Sequence, residues 1–470
     1  MSSGRKKISQ ILDKRSTSET AKILFIGSLS ILALFLGFFT DYWGVADKQW
    51  FGNHQRDMEN HVIGRMVRSR QDGIFSDGGL MGIGSPDTTL KYFPARPFSN
   101  QVTAYVNGQS FGAFRTYNSL IGGQGMLFSI FDKLITLSPQ EKLNSFHAFT
   151  AMLSAITLTA IILWFYMEFG FTVAIFVIIS AVFSQWLVVF GRNLYRSMWA
   201  FYLPVVVMMY YLKSRQGQMN FSHSTLGAIV FITVFIKCLF NGYEYITTVL
   251  VMMIVPFFYY GLLNRMRLRR FLAGLFTAAS SAFLAVLLSF TILCFQVASV
   301  RGKFMDGVGH IVYSFEKRTW GNPHDFAPVY TPDLESGPVH VIVTYLEGTF
   351  FDANQYLSGS IPFISGDLLK VSYEELLIFF LVMSGLLYFL RSRVSDGNEK
   401  RKLLALIFAT WFSLLAPLSW FIIFKSHSYV HTHMNFIVWQ MPFVFFGFAV
   451  SGLVVKIILA NHIRWKRMKN

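Results

Sequence analysis

The chain has 470 residues, 53% of them hydrophobic, and its mean hydropathy of +0.45 excludes an ordinary soluble domain. Its 41 Lys and Arg residues exceed its 25 Asp and Glu residues, which gives a formal net charge of +16. Because these cations lie in short clusters beside apolar runs, without a basic domain bearing stacking aromatics, we expect a membrane protein with no nucleic-acid partner.

Long apolar runs alternate with short polar breaks along the chain. A hydrocarbon core of about 30 Å needs roughly 20 apolar residues per helix, and lipid offers backbone amides no partner, so each long run predicts a membrane-spanning helix. We predict an all-α, polytopic transmembrane fold, with residues 23–470 forming a single membrane domain of about ten spans. The predicted spans are residues 23–39, 149–166, 171–190, 200–212, 225–240, 246–263, 271–300, 376–390, 403–424 and 436–459.

Basic clusters follow every second apolar run, in residues 1–22, 213–215, 265–270, 391–402 and 464–469. Lys and Arg near span ends are held on the cytoplasmic side, so this pattern predicts cytoplasmic termini and an even number of spans. The first run ends without a small-residue cleavage site, so we expect residues 1–22 to be a basic cytoplasmic segment before a retained span. Cys238 and Cys294 both fall within predicted spans, which argues against a disulfide framework.

The same alternation assigns two long polar segments, residues 41–144 and 301–375, to the outer face. Apolar residues recur at helical spacing twice in the first segment. One stripe consists of Val62, Ile63, Met66 and Val67, opposite Arg65, Arg68 and Ser69; the other runs from Met126 to Ile135, opposite Asp132 and Lys133. We predict two amphipathic helices lying on the membrane surface, with packing beneath the loop as the alternative.

Acidic residues stand near the first of these helices. Asp57 and Glu59 lie directly before its apolar stripe, and Asp41 follows the first span. A carboxylate at a membrane-proximal mouth can act as a general base if its surroundings raise its pKa toward the working pH. Loop carboxylates also serve simply to solvate a surface, and the choice among Asp57, Glu59 and Asp41 stays open.

This arrangement resembles the GT-C superfamily of polyprenyl-phosphate-dependent glycosyltransferases, which includes protein mannosyltransferases and lipid A aminoarabinose transferases. The resemblance covers most of the chain as architecture and only a few residues as motif. In that superfamily an acidic residue of the first outer loop acts as base toward the acceptor, often within an adjacent Asp-Glu pair. Here Met58 separates Asp57 from Glu59, which leaves open which of them is the base.

The resemblance implies a function and a location. A sugar would move from a polyprenyl-phosphate donor to a glycan, lipid or protein acceptor, at the outer face of a bacterial inner membrane.

Two arginines in a short outer turn run against the positive-inside pattern. Residues 191–199 join the third and fourth predicted spans and contain Arg192, Asn193, Tyr195 and Arg196. Guanidinium groups match phosphate oxygens bidentately, so we predict that Arg192 and Arg196, with Tyr195, bind the donor phosphate. Anchoring to lipid headgroups is the alternative. Asn193 is expected to line the substrate cavity.

An ionisable residue, Lys237, lies inside the fifth predicted span, and Tyr243 and Glu244 follow it closely. A charge at membrane depth normally faces a partner or a cavity. The spacing from Lys237 to Glu244 equals two helical turns, which places both on one helix face. We predict that all three residues line the substrate cavity; a structural Lys–Glu pair is the alternative.

The last outer loop contains Lys425, His427, His431 and His433. Positioned donors stabilise the charge that develops on a departing phosphate, so we predict that these four residues bind it. The spacing of His427 and His431 also suits a divalent metal, although no carboxylate adjoins them, and simple packing is a third alternative. In the second long loop, Arg318 and Trp320 are predicted to line a sugar cavity.

Two rival functions remain. An oligosaccharide polymerase or ligase with a polyprenyl-pyrophosphate donor usually carries its large loop late in the chain, whereas the largest loop here comes first. A transporter or flippase would use Lys237 and Glu244 as a coupling pair. The lack of paired mid-chain spans interrupted by Gly or Pro argues against it.

Overall fold

The computed structural model describes residues 2–85, 99–217, 221–354 and 370–469, except the side chains of residues 2–17, 57, 99–100 and 463–469. In chain order its helices are α1 (Ser2–Thr40), α2 (Lys48–Asp72), α3 (Ser99–Val106), α4 (Gly123–Leu134), α5 (Pro139–Phe169), α6 (Phe171–Val182), α7 (Gln185–Gly191), α8 (Met198–Ser214), α9 (His223–Asn241), α10 (Ile246–Leu263), α11 (Leu268–Arg301), α12 (Phe304–Arg318), α13 (Thr331–Glu335), α14 (Pro338–Glu347), α15 (Tyr373–Leu390), α16 (Gly397–Ser413), α17 (Leu415–Ile423), α18 (Lys425–Val430) and α19 (Phe443–Lys469). Among the described residues, two short antiparallel strand pairs join β1 (Gly82–Ser85) to β2 (Ala113–Thr116), and β3 (Thr349–Asp352) to β4 (Lys370–Ser372).

Within the described ranges, eight segments are long and apolar enough to cross a bilayer. They lie in α1, α5, α9, α10, α11, α15, the joined α16 and α17, and α19, and they coincide with eight of the predicted spans. The third predicted span is instead the pair α6 and α7, bent by 68°. The fourth is α8, whose 17 residues rise only about 26 Å. The all-α polytopic fold is therefore confirmed, with eight candidate spans, or nine if the bent pair counts as one.

The bundle has two distinct ends. Residues 18–26 of α1, the turn between α5 and α6, the end of α8, the start of α16 and Lys456 of α19 border one large cavity. We call this end the terminal face, because it holds the start of α1 and the later part of α19. We call the opposite end, which α1 reaches at Thr40, the loop face. The first and last described helices therefore have their outer ends on one side of the bundle.

The first long loop folds around its own apolar cluster at the loop face. Val62, Ile63, Met66 and Val67 of α2 are all buried in that cluster. On the opposite side of α2, Arg65 is also buried, and its guanidinium donates to Ser76 O at 2.6 Å, Gly73 O at 3.0 Å and Ser69 Oγ at 2.9 Å. The prediction of a surface helix is wrong for α2, since protein covers both of its sides.

The second predicted amphipathic helix keeps an apolar exposed edge. In α4, Ile130 and Leu134 are exposed, while Asp132 is buried in an ion pair with Arg70, at 2.6 Å, and with Lys142, at 3.1 Å. Phe128 and Asp132 thus face the protein, while Ile130 and Leu134 leave an apolar edge exposed beside Lys133. An exposed apolar edge next to a cation is compatible with a helix at a membrane surface.

Candidate functional site

A polar chamber of about 180 Å³ lies at the loop face. Arg196 comes from the turn before α8, Glu244 from the turn before α10, and further residues from the two long loops and the histidine segment. Its polar lining consists of Tyr117, Arg196, Glu244, Lys317, Arg318, Tyr330, Asp333, Ser426, His427 and His431. The chamber brings together five residues that the sequence predicts for a site: Arg196, Glu244, Arg318, His427 and His431.

The turn that carries Arg196 is fixed by the side chain of Asn193. Its Oδ1 accepts from Tyr195 N at 3.1 Å and from Arg196 N at 2.8 Å, while its Nδ2 donates to Gln55 Oε1 at 3.1 Å. Side chains of this type commonly satisfy nearby backbone groups in tight turns. Asn193 and Tyr195 are both buried and do not line the chamber. The structure places them behind it, where they hold Arg196 in position.

Arg196 and Glu244 form a buried ion pair at the chamber wall. The Arg196 Nη2 also contacts Met434 Sδ at 3.0 Å, and its Cζ lies 5.3 Å from the centre of the Tyr195 ring. A guanidinium that is almost fully buried needs a compensating charge, and the Glu244 carboxylate supplies it.

Lys237 does not pair with Glu244. Its ammonium donates to Gly242 O at 2.8 Å and is buried inside the bundle. The prediction assumed one continuous helix, but α9 ends at Asn241 and Gly242 turns the chain with a φ of +53°. Glu244 is thereby directed to Arg196 instead.

Glu59 clamps three elements together. Its carboxylate accepts from Leu194 N at 2.7 Å and is hydrogen-bonded to His147 Nε2 at 2.9 Å. Leu194 belongs to the turn before α8, and His147 to α5, so Glu59 ties α2 to both. The carboxylate is buried and does not line the chamber.

The other two predicted acids occupy different places. Asp57 lies on α2 one residue before Met58, which lines the chamber; the side chain of Asp57 is outside the described residues. Asp41 lies at the end of α1 with a φ of +51°, and its Oδ1 accepts from Val45 N at 3.0 Å. Burial raises the pKa of Asp41. Asp41 closes a turn and does not line the chamber.

Two cations predicted to bind phosphate contact backbone carbonyls instead. The Arg192 Nη1 donates to Phe39 O at 2.7 Å, at the end of α1. The Lys425 Nζ donates to Ser336 O at 2.9 Å and lies 4.8 Å from the centre of the Trp320 ring. Neither cation lines the chamber, and neither does Trp320, which is exposed. These side chains anchor the loops to the bundle.

The three histidines form a row, of which His427 and His431 line the chamber and His433 does not. The ring centres of His427 and His431 are 4.5 Å apart, and those of His431 and His433 are 5.4 Å apart. Burial and neighbouring cations lower the pKa of His431 to about 3 and hold that of His427 well below its usual range. Both imidazoles are therefore neutral near pH 7. Among the residues that the structure describes, no group of three or more His, Cys, Asp or Glu side chains is placed to hold a metal ion.

Sequence reasoning missed five polar chamber residues: Tyr117, Lys317, Tyr330, Asp333 and Ser426. The Lys317 Nζ lies 4.5 Å from the centre of the Tyr330 ring. Burial raises the pKa of Asp333, and Lys317 opposes this shift. The sequence alone could have indicated Lys317. It forms a basic pair with Arg318 in a loop assigned to the outer face, where cations are depleted.

An apolar groove of about 480 Å³ adjoins the chamber. It runs between α11 and α12 and reaches the start of α10. Its apolar wall consists of Ile246, Val286, Phe290, Leu293, Ile311, Val312, Phe315 and Phe424, and Tyr243 lies among them. Arg318 lines both the groove and the chamber, and its Nη2 donates to Ser119 Oγ at 3.3 Å. One guanidinium thus stands where apolar and polar cavities meet.

The fold and the site define this chain as a helical polytopic membrane protein with a charged chamber at one end. Comparison with family models, with curated proteins and with solved structures gave no match.

Proposed function

We propose that this protein is a membrane glycosyltransferase that moves a sugar from a polyprenyl-phosphate donor to a glycan, lipid or protein acceptor. The observation that supports this most is the position of Arg318, which borders both the apolar groove and the polar chamber. A lipid-linked sugar phosphate has the same order of parts: an apolar chain, then an anion, then a polar sugar. The groove would take the chain, and the chamber would take the sugar.

The position of Lys317 and Arg318 favours them as the phosphate ligands. Arg196 is already compensated by Glu244. Lys317 and Arg318 stand side by side at the end of α12, next to the groove; besides Glu244, the two cavities hold the carboxylates of Asp333 and Glu316. A phosphate between these two cations would gain charge-assisted hydrogen bonds, and a guanidinium offers two parallel donors. The neutral imidazoles of His427 and His431 add hydrogen-bonding groups without adding charge.

Transfer requires a base for the acceptor. The acceptor hydroxyl gives its proton to a carboxylate while its oxygen bonds to the anomeric carbon. The bond from that carbon to the phosphate oxygen breaks, and polyprenyl phosphate leaves with the electron pair, stabilised by Lys317 and Arg318. Two carboxylates suit the role of base. Asp57 precedes chamber-lining Met58, and Asp333 lines the chamber with a pKa that burial raises.

The test compares Asp57→Asn, Asp333→Asn, Glu59→Gln and Arg318→Gln in the full chain. Restoration of surface glycan in a deletion strain is measured beside the amount of protein in the membrane. Asp325→Asn is the matched control, because Asp325 is exposed in the same loop. Loss of the base lowers the rate about 100-fold or more.

We expect Arg318→Gln and one of Asp57→Asn and Asp333→Asn to abolish glycan at normal protein levels. We expect Glu59→Gln to lower the amount of protein instead, since that carboxylate clamps α2 to α5. Normal glycan with Asp57→Asn, Asp333→Asn and Arg318→Gln alike would overturn the proposal.

The transporter alternative has lost the residue pair that motivated it. Lys237 donates to the Gly242 carbonyl and Glu244 is paired with Arg196, so these two residues do not form a coupling pair. The polymerase or ligase alternative differs in the donor, which would carry a pyrophosphate. The polymerase or ligase function stays an alternative prediction. Competition between polyprenyl phosphate and polyprenyl pyrophosphate donors would distinguish it from the monosaccharide transferase.

A further inference from the structure

Helix α12 folds back along the last turns of α11 at the loop face. The chain reverses at Gly302, which has a φ of +101°. Beyond the reversal, the centre of the Phe304 ring lies 5.0 Å from that of Phe295, and a Cβ at Gly307 would lie 2.7 Å from the Cα of Cys294. Because the contacted position moves backward along α11 as α12 advances, the two helices are antiparallel. α12 therefore descends from its first residue toward the membrane-spanning part of α11.

Two observations place the end of α12 near the boundary of the bilayer. The first is the length of α11, which begins at Leu268, beside exposed cations at the terminal face. Its 34 residues rise about 51 Å, whereas the hydrocarbon core is about 30 Å thick and takes roughly 20 of them. The core therefore ends near Phe290. That residue and Val286 line the groove together with Val312 and Phe315 of α12.

The second observation is the position of Trp320, which follows the end of α12. Its indole nitrogen donates to Ile422 O at 3.2 Å, at the end of the candidate span formed by α16 and α17. Trp320 and Ile422 are both exposed. Tryptophan is enriched where headgroups meet acyl chains, because its ring is apolar and its N–H is polar. The chain that leaves α12 is thus held at the level where a candidate span ends.

The exposed side of α12 near this boundary is apolar. Val312 is 45% exposed and Phe315 is 54% exposed, and both border the groove. Leu287 and Phe283 of α11 are also exposed, two and three helical turns below Cys294 on the face of α11 that α12 covers. Both lie inside a candidate span, where an exposed apolar side chain contacts lipid. The apolar surface of α12 therefore continues a surface that meets acyl chains.

We propose that α12 is an interfacial helix whose last two turns lie in the leaflet at the loop face, with Val312 and Phe315 against acyl chains and the exposed Glu316 among the headgroups. Amphipathic helices reach about 5–10 Å into the boundary between headgroups and acyl chains, which is the depth that this arrangement requires. The side of the groove that Val312 and Phe315 form then faces the bilayer. An apolar chain can enter the groove from the membrane plane without crossing water. The position of α12 is independent of the proposed transferase activity, which concerns the chamber.

The test measures the depth of α12 with a bimane label on single introduced cysteines. Both native cysteines are buried, so the unmodified protein gives the background labelling. The variants are Val312→Cys and Phe315→Cys, Met305→Cys in the first turn of α12, and Asp325→Cys as the control in an exposed part of the same loop. Each labelled protein is placed in phosphatidylcholine nanodiscs. Quenching is compared between iodide in water and a spin label on the lipid acyl chain, close to the headgroup.

We expect the lipid spin label to quench the fluorescence at positions 312 and 315 about threefold or more above its effect at position 325, and iodide to show the opposite order. Position 305 should fall between them, because it lies about 15 Å from position 315 along the helix. Two positions on one side of α12 keep the test decisive if either substitution unfolds the protein.

Iodide quenching at positions 312 and 315 equal to that at position 325 would overturn the proposal and place α12 in water. Weak quenching by both reagents at positions 312 and 315 would also overturn it, since the exposed side of α12 would then be covered by protein.

Discussion

At the scale of single residues, Arg196 is the chamber residue whose burial most requires a charged partner. Its guanidinium is almost fully buried, and its charge is matched by Glu244 alone among the ion pairs of the described residues. Asn193 holds the backbone that presents it. Under the proposed function, a substrate phosphate would therefore meet an arginine whose charge is already paired, and Lys317 and Arg318 are its proposed ligands.

Removal of one partner of this pair should destabilise the protein strongly. Because Glu244→Gln leaves the buried Arg196 guanidinium without its partner, that change should cost about 3–5 kcal/mol. Arg196→Gln should cost less, since Glu244 is partly exposed and lines the chamber with Lys317 and Arg318. The double change should cost clearly less than the sum of the two, with a coupling energy of about 1 kcal/mol or more. Thermal denaturation of the purified variants measures this. Additive effects would show that the two side chains do not interact.

Buried histidines make the stability of the loop face dependent on pH. His54 packs 5.0 Å from the Phe190 ring, and burial, followed by the charges of Arg196 and His433, lowers its pKa to about 3. In the unfolded chain the pKa of histidine is about 6.5. The unfolded state therefore binds the proton between these two values, and folding loses stability as the pH falls below about 6.5.

We expect the midpoint of thermal unfolding to be lower at pH 5 than at pH 7, and His54→Gln to reduce that difference. The contribution of His54 at pH 5 is about 2 kcal/mol, from a pKa difference expressed over about 1.5 pH units. His340→Gln is the control, because His340 is exposed. An unchanged pH dependence in His54→Gln would contradict the assignment.

At the scale of elements, α2 shows what periodicity can and cannot predict. Its apolar stripe indicates a helix, and a helix is present. The stripe does not reveal what lies on the other side, where Arg65 is buried against the carbonyls of Gly73 and Ser76. An arginine is expected in water, so only the folded loop shows that its polar side faces protein.

Close packing of α2 against β1 provides a test. A Cβ at Gly64 would meet the backbone carbonyl of Gly82 and lie 3.0 Å from Gln101 Oε1, whereas a Cβ at Gly52 has no neighbour within 4 Å. We expect Gly64→Ala to lower the free energy of unfolding by about 1–3 kcal/mol.

Gly52→Ala, in the same helix, should be neutral or stabilising, since alanine favours helix by up to about 1 kcal/mol. Chemical denaturation measures both variants. A Gly64→Ala variant as stable as Gly52→Ala would contradict the contact.

The spans were predicted well because twenty apolar residues in lipid leave the backbone no other structure. The third and fourth predicted spans were the exceptions, the fourth because α8 has only 17 residues. The third predicted span is broken by a bend. Its apolar run crosses Ser184, whose side chain accepts from Leu187 N at 3.4 Å and starts α7 as a new helix. A single capping serine inside an apolar run looks like an ordinary helix residue, so the 68° bend could not be read from the sequence.

At the scale of the whole molecule, the chamber depends on contacts between distant parts of the chain. Arg196, Arg318 and His431 were each selected from local patterns, and the fold brings them together. Arg192 and Lys425 were selected by the same patterns, yet they hold backbone carbonyls of Phe39 and Ser336. Local sequence indicates that a cation needs a partner. Only the fold decides whether that partner is another segment of the chain or an open cavity.

The central claim is that one lipid-linked ligand occupies both the groove and the chamber, with its phosphate at Arg318 between them. The most direct measurement is photocrosslinking of the purified protein with a benzophenone-bearing polyprenyl phosphate, in competition with unlabelled polyprenyl phosphate or polyprenol. The comparison includes the wild-type protein, Arg318→Gln, and Arg301→Gln as control, since Arg301 is exposed at the end of α11.

We predict crosslinks within α11 and α12 that polyprenyl phosphate displaces at least tenfold more effectively than polyprenol. Arg318→Gln should remove this difference and Arg301→Gln should keep it. Equal displacement by the two competitors in the wild-type protein, or crosslinks confined to other helices, would contradict the claim that Arg318 binds a lipid-linked phosphate at the joint between groove and chamber.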